Sequence, residues 1–301
     1  MLEDPIVQVT DIQELARDVV VIPNRNVDLV PNITLIGGTD AVLVVDTGLG
    51  PRNAERVLEF AGEYAAGRRL YLTTTHFHPE HAFGADVFAG AATYLVNRAQ
   101  ADDLATKGEG YLEMFRQLGE PVARELDGTT IPAPDLTYDE TYELDLGGRT
   151  VVLRATGRAH SKGDQVVTVP DEGILLTGDL AEADQFAIFP WFPPYDVDVS
   201  GVRWIGVLDA LLADRPRVVV PGHGDVRDAG LLTDVRDYLV ELRDETWVRR
   251  DSAMPEETVA AEIRALMIKR HPDWRLPEWI DRGVGCLCAE HAATVERPSR
   301  A

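Results

Sequence analysis

The sequence predicts an α/β fold built from two sets of strands, on three observations. Short Val-, Ile- and Leu-rich runs alternate with stretches of helical periodicity; the runs fall into an early and a late set; and ionisable residues stand where the runs end. The early set is DVVVIP (18–23), NITLIGG (32–38) and AVLVVDTG (41–48), with Gly37-Gly38-Thr39-Asp40 as the turn between the last two. PRNAERVLEFAGEY (51–64) then carries apolar residues at 54, 57, 58 and 61, a helical spacing, before Gly67 and the strand RLYLTTT (69–75).

The late set is TVVLRATG (150–157), QVVTVP (165–170), GILLTGD (173–179) and RVVVPGHG (217–224), with a helix over roughly 201–213. Three stretches read as additions. Residues 97–118 form a helical insertion. ADQFAIFPWFPPY (183–195) crowds Phe186, Phe189, Trp191, Phe192 and Tyr195 among prolines and is too broken for a regular helix. A helical extension begins near residue 229, includes EETVAAEIRALMIKR and reaches the Trp-rich HPDWRLPEWIDRG. With no internal repeat or linker, one domain over 1–301 is expected, its core at about 18–224 and its helical C-terminal extension at about 229–301.

Composition excludes several classes. At 301 residues with 45% hydrophobic and 27% charged residues, the chain has the makeup of a folded protein and not a disordered one. A formal charge of −22 repels phosphate backbones and anionic lipid, so neither nucleic acid nor a membrane surface is an expected partner. No apolar run is long enough to span a bilayer, and MLEDPIVQVTDIQEL lacks the basic start of a signal peptide; a cytoplasmic location is the expectation. Cys286 and Cys288, one residue apart, suit neither a disulfide framework nor a zinc finger and read as small packed residues.

The chemistry lies where strands end. Asp46, His76, His78, His160, Asp179 and His223 each stand at or just beyond the C-terminal end of an expected strand, and five of the seven histidines fall in these segments. Functional groups gather at such edges because the sheet fixes their origin and the loops are free to vary. HFHPEH (76–81) is the densest cluster. His76 and His78 project to one side of an extended segment, and Pro79 opens a helix bearing Glu80 and His81. Imidazole and carboxylate at this density suit zinc and neighbouring transition metals, which lower the pKa of bound water.

HFHPEH, with VVDTG, GRAH, TGD and PGHG in this order, resembles the metallo-β-lactamase superfamily over roughly residues 18–224. The resemblance implies an αβ/βα four-layer sandwich with a metal site at one edge between the sheets. It implies a first site of His76, His78 and His160, a second of Glu80, His81 and His223, and Asp179 bridging them. The implied cofactor is Zn2+, two ions per chain, with iron or manganese as alternatives. Glu80 departs from the family's usual Asp, and its longer arm makes it either a ligand of the second metal or a base beside the metal site. Asp46 has no matching ligand role; it either orients a ligand histidine or caps the VVDTG turn. Glu80, Asp179 and Asp46 are thus the candidate catalytic residues.

Two divalent cations outweigh the carboxylates of Glu80 and Asp179 and leave a locally positive centre. The implied activity is a metal-dependent hydrolase acting on an ester, thioester, lactone or amide of a small molecule, with a metal-activated hydroxide as nucleophile. The aromatic segment after Asp179 reads either as an apolar wall for a hydrophobic substrate part or as core packing. Residues 97–118 and 255–282 either complete that pocket or cover the sandwich. A β-lactamase, a mononuclear iron persulfide dioxygenase-like oxidoreductase and a non-catalytic binding protein are the alternatives.

Overall fold

A computed structural model of the chain describes residues 3–131 and 133–295. The first half of the chain builds a seven-stranded sheet, in sequence order throughout. Its strands are β1 (Gln13–Ala16), β2 (Val19–Ile22), β3 (Ile33–Gly37), β4 (Ala41–Val45), β5 (Arg69–Thr73), β6 (Ala92–Asn97) and β7 (Leu136–Tyr138). β1 to β4 run antiparallel, and β4 to β7 run parallel. α1 (Gly50–Ala65), the short α2 (Pro79–Ala82), α3 (Arg98–Arg116) and α4 (Glu120–Glu125) fall within the same half.

The second sheet is ordered β12-β11-β10-β9-β8, from β8 (Thr141–Asp145), β9 (Thr150–Ala155), β10 (Gln165–Val169), β11 (Ile174–Gly178) and β12 (Val218–Pro221). All its pairs are antiparallel except β11 with β12, which the helix α5 (Gly201–Ala213) connects. The extension supplies α6 (Gly230–Asp251), α7 (Glu256–Arg270) and α8 (Trp279–Val295); residues 296–301 lie outside the described ones.

Alternation along the strands sorts the side chains into three cores. Ala41, Leu43 and Val45 of β4 meet Leu153, Val167 and Leu176 between the sheets. Val42 and Val44 turn the other way, onto Val57 and Ala61 of α1. Val166, Leu175 and Val219 face outward from the second sheet onto Trp204, Leu239 and Ile263 of α5, α6 and α7. The layer order is therefore helix, sheet, sheet, helix, the four-layer αβ/βα sandwich expected, with α6 to α8 as its helical extension. β4 is buried on both faces and so reads as an unbroken apolar run.

The expected helices at 51–64, 97–118 and 201–213 correspond to α1, α3 and α5. α1 opens with Pro51 in its first turn and ends at Ala66 in the left-handed region, whose N–H bonds Gly62 and Glu63 carbonyls. Two expectations change. The strand at 69–75 stops at Thr73, because the Thr74 carbonyl accepts from the Gln165 side chain and the Thr75 N–H donates to Asp46 instead of joining the ladder. β1, β6, β7 and β8 lie in stretches where the sequence suggested no strand; they are three to six residues long and, at β7 and β8, largely exposed. No described helix is long and apolar enough to cross a membrane.

Candidate metal centre

The two sheets present their strand ends to one edge. β4 and β5 lead into Asp46 and the His76–His81 loop; β9, β11 and β12 lead towards His160, Asp179 and His223. Two ties lock these edges together. Asn32 donates from Nδ2 to the carbonyls of Pro221 and Gly224, and Gln165 donates from Nε2 to Thr73 Oγ1 and the Thr74 carbonyl. His78 keeps an extended backbone as the N-cap of α2, which swings Glu80 and His81 onto the site as expected.

The candidate ligands form two groups that share one residue: His76, His78, His160 and Asp179, and Glu80, His81, Asp179 and His223. Within each group the ligand atoms lie within 4.8 Å of one another, and every residue is buried. Asp179 divides its oxygens between them. Oδ2 stands 3.7 Å from Nε2 of both His76 and His160, while Oδ1 stands 3.3 Å from His81 Nε2 and 3.6 Å from His223 Nε2. His78 Nδ1 lies 3.0 Å from His160 Nε2. Gly222 permits this packing, because a Cβ there would sit 1.9 Å from Asp179 Oδ1.

The donor set fits a cation. His76, His81 and His223 Nε2, Glu80 Oε2 and both Asp179 oxygens are buried without a well-aligned hydrogen-bond partner. A buried polar group left so costs about 1–3 kcal/mol, and a cation in each group would satisfy these atoms. Proton affinities agree. Burial, then neighbouring imidazoles, hold His76 and His78 well below the ordinary histidine range, and burial takes His160 down to about 4. These rings are neutral lone-pair donors at pH 7. Burial opposes a charged His81, but Asp179 and Asp46 outweigh it and raise its pKa well above the usual value. Burial likewise opposes ionised Asp179, yet His81, His223 and His76 pull it well below the carboxylate range. Burial lifts Glu80 to about 7, with His81 opposing and Asp179 adding to the rise.

Asp46 lies behind this group. Its Oδ2 is 2.9 Å from His81 Nδ1, its Oδ1 accepts the Thr75 N–H at 2.7 Å, and its own φ of +70° is unusual for a residue with a side chain. The carboxylate of Asp46 faces Thr75 and His81 and makes no bond within its own VVDTG segment, the arrangement that the orienting reading calls for. Glu80 reaches the second group despite its extra methylene.

The sequence reading missed the supporting groups. Thr75 Oγ1 lies 3.2 Å from His76 Nδ1; the Ile188 carbonyl accepts from His160 Nδ1 at 3.0 Å; Trp204 packs its ring 5.4 Å from that of His160 and donates to the Leu180 carbonyl. Tyr111 of α3 stacks on His78 at 5.2 Å and donates to Asp196. Glu182 is buried three residues beyond Asp179, and burial with the nearby Asp179 carboxylate raises its pKa well above the carboxylate range. Thr75 and Glu182 adjoin recognisable motifs, which is the one signal that marked them.

A cavity of about 320 Å³ opens on His78, Glu80 and His223. Its walls are mainly apolar and come from four segments: Val27 and Leu29, Met114 and Phe115 of α3, Ile188 to Phe192, and Leu276 to Trp279. The insertion and the extension therefore complete the cavity, with Arg275 pairing to Asp28 across its rim. The aromatic segment divides. Phe192 lines the cavity, whereas Phe186 and Phe189 are core residues against Tyr238 and Trp204. Trp191 faces a neighbouring groove beside Gly285, and Tyr195 is half exposed. The two readings of this segment, apolar wall and core packing, therefore each hold for part of it, because neighbours in an irregular segment point to different sides.

Comparison with known proteins agrees with this geometry. Residues 27–223 match the model of the metallo-beta-lactamase superfamily. Human acyl-coenzyme A thioesterase MBLAC2 is 29% identical over 216 residues, covering 64% of this chain and 72% of that enzyme. A linear primary-alkylsulfatase from a Pseudomonas strain is 22% identical over 266 residues, covering 75% of this chain and 48% of that enzyme. The solved structure of the sec-alkylsulfatase Pisa1 from Pseudomonas sp. superposes with a TM-score of 0.68 at 18% identity, over 94% of this chain and 50% of that one. With the family model spanning well over half its length and the ligand groups in place, this chain belongs to the metallo-beta-lactamase superfamily.

Proposed function

We propose that this protein is a metal-dependent hydrolase that cleaves an ester or thioester bond to a hydrophobic acyl group. Two zinc ions are the expected metals, and iron or manganese the alternatives. The observation that supports this reading is the apolar cavity opening directly on His78, Glu80 and His223, a space that would take an acyl tail with its polar end group at the ligand side.

When bound, the metal polarises the scissile carbonyl and supplies a nucleophile from water at neutral pH. The chain's own residues do the rest. His76, His78, His160 and Asp179 would hold one ion, and Glu80, His81, Asp179 and His223 the other. Asp46 fixes the His81 ring, and Ile188, Phe192 and Trp279 exclude water from the acyl side. If Glu80 is not a ligand, its buried carboxyl at the cavity mouth suits proton transfer.

The relative named as an acyl-coenzyme A thioesterase supports the thioester reading. An alkyl sulfate has the same apolar tail with a different end group, and a more distant relative is named for that chemistry. Elemental analysis of protein purified without added metal, beside a panel of acyl thioesters, esters, lactones, amides, β-lactams and alkyl sulfates of graded length, tests the proposal. Two equivalents of divalent metal and a kcat/KM that rises with acyl length are expected. Full activity without metal, or turnover of sulfates alone, overturns it. Anaerobic iron loading followed by oxygen uptake checks the dioxygenase alternative.

A further inference from the structure

Ile188 belongs to an irregular segment and has no backbone hydrogen-bond partner among the described residues. Both its polar groups are nonetheless engaged. Its N–H donates to Glu182 Oε2 at 3.0 Å, and its carbonyl accepts from His160 Nδ1 at 3.0 Å. The other oxygen of Glu182 accepts from Gln185 Nε2 at 3.0 Å. Gln185 and Ile188 both line the apolar cavity.

Glu182 itself is held firmly. It is 2% exposed and sits on the turn that follows Asp179, where the Ala183 N–H donates to the His223 carbonyl at 2.9 Å. One end of the chain of contacts is thus anchored beside the candidate ligands, and the other end is a residue that no backbone hydrogen bond among the described residues holds. We propose that Glu182 is a positioning residue that, through the backbone of Ile188, sets both the imidazole of His160 and one wall of the apolar cavity. Its two oxygens act as acceptors: one aims the Ile188 carbonyl at His160 Nδ1, which leaves Nε2 facing Asp179; the other draws Gln185 to the cavity.

This inference rests on reading the ligand groups as a metal centre, and its test separates the two. Wild-type protein is stripped, reloaded with cobalt(II) and titrated against a competing chelator, and its cavity is titrated with a fluorescent fatty-acid probe. The same titrations are made on Glu182→Leu, which keeps volume and removes both acceptors, and on Glu182→Gln, which keeps one. The Leu variant should lose metal affinity by about 10–100-fold, change the cobalt absorption spectrum and bind the probe more weakly. The Gln variant should recover most of each, because its carboxamide oxygen still accepts from Ile188 and its NH2 can face a reoriented Gln185 amide. A Leu variant with wild-type affinities and only a lower melting temperature overturns the proposal, as does a Gln variant as impaired as Leu. If the Leu variant does not fold, Ile188→Gly decides: joint loss of metal and probe affinity supports the coupling, and loss of probe affinity alone refutes it. Failure of the wild-type protein to bind cobalt instead overturns the metal centre.

Discussion

Asp46 Oδ2 stands 2.9 Å from Nδ1 of His81, so the ring's other nitrogen faces Asp179 Oδ1 at 3.3 Å. Between two carboxylates this histidine holds a proton far more tightly than the other four rings, and a metal arriving at Nε2 must displace it. Asp46→Asn removes one of the two charges and the fixed orientation of the ring. It should weaken metal binding by about 10–100-fold without changing the number of ions bound at saturation. Chelator competition with elemental analysis checks both halves, and an unchanged affinity would sink the orienting role.

Removing metal with a chelator should abolish activity and lower the melting temperature, because the ion binds the folded site and not the unfolded chain. His76→Ala should abolish activity as well. His291→Ala, which loses a contact with exposed Asp251 and packing on Trp247, should not. His271 packs on Trp274 with ring centroids 4.1 Å apart, so His271→Ala should cost stability and leave kcat near wild type. Equal loss of activity in all three would place the site elsewhere.

Glu80 gives a pH signature. Its carboxyl holds a proton up to about 7 in the folded protein, against an ordinary value of 4.5. Between these values the unfolded chain binds fewer protons than the folded one, so metal-free protein should lose stability as pH rises from about 4.5 to 7, by up to roughly 3 kcal/mol. Glu80→Gln should flatten this part of the stability curve, measured by denaturant unfolding of stripped protein. In the loaded enzyme the same substitution should lower the metal content from about two ions towards one if Glu80 is a ligand. An unchanged count with depressed kcat would make it a base.

Phe192 lines the cavity and its neighbour Trp191 does not. Phe192→Ala should therefore cut kcat/KM for long acyl chains by about tenfold, with little effect on acetyl substrates. Trp191→Ala should lower stability and leave chain-length preference unchanged. Chain-length profiles of the two variants, measured side by side, test the assignment, and matching profiles would contradict it.

The two sheets, at their apolar strands, and the residues brought to their common edge are legible in the chain alone. Each rests on local information: a buried strand must be apolar along its length, and a ligand needs only to follow its strand closely in the chain, as His76 follows β5 and Asp179 follows β11. Only the tertiary structure decided the rest. β6 lies between β5 and β7, and β7 and β8 are short and largely exposed, so neither length nor alternation announced them. That Phe192 turns to the cavity while Phe186 turns to Tyr238 depends on an irregular backbone that has no period to read. The supports of the site, from Ile188 to His160, from Trp204 to Leu180 and from Asn32 to Gly224, join residues 24 to 192 positions apart. Hydrogen bonds and packing act over a few ångströms in space, and periodicity reports only on neighbours in the chain, so contacts of this kind become definite only once the chain has folded.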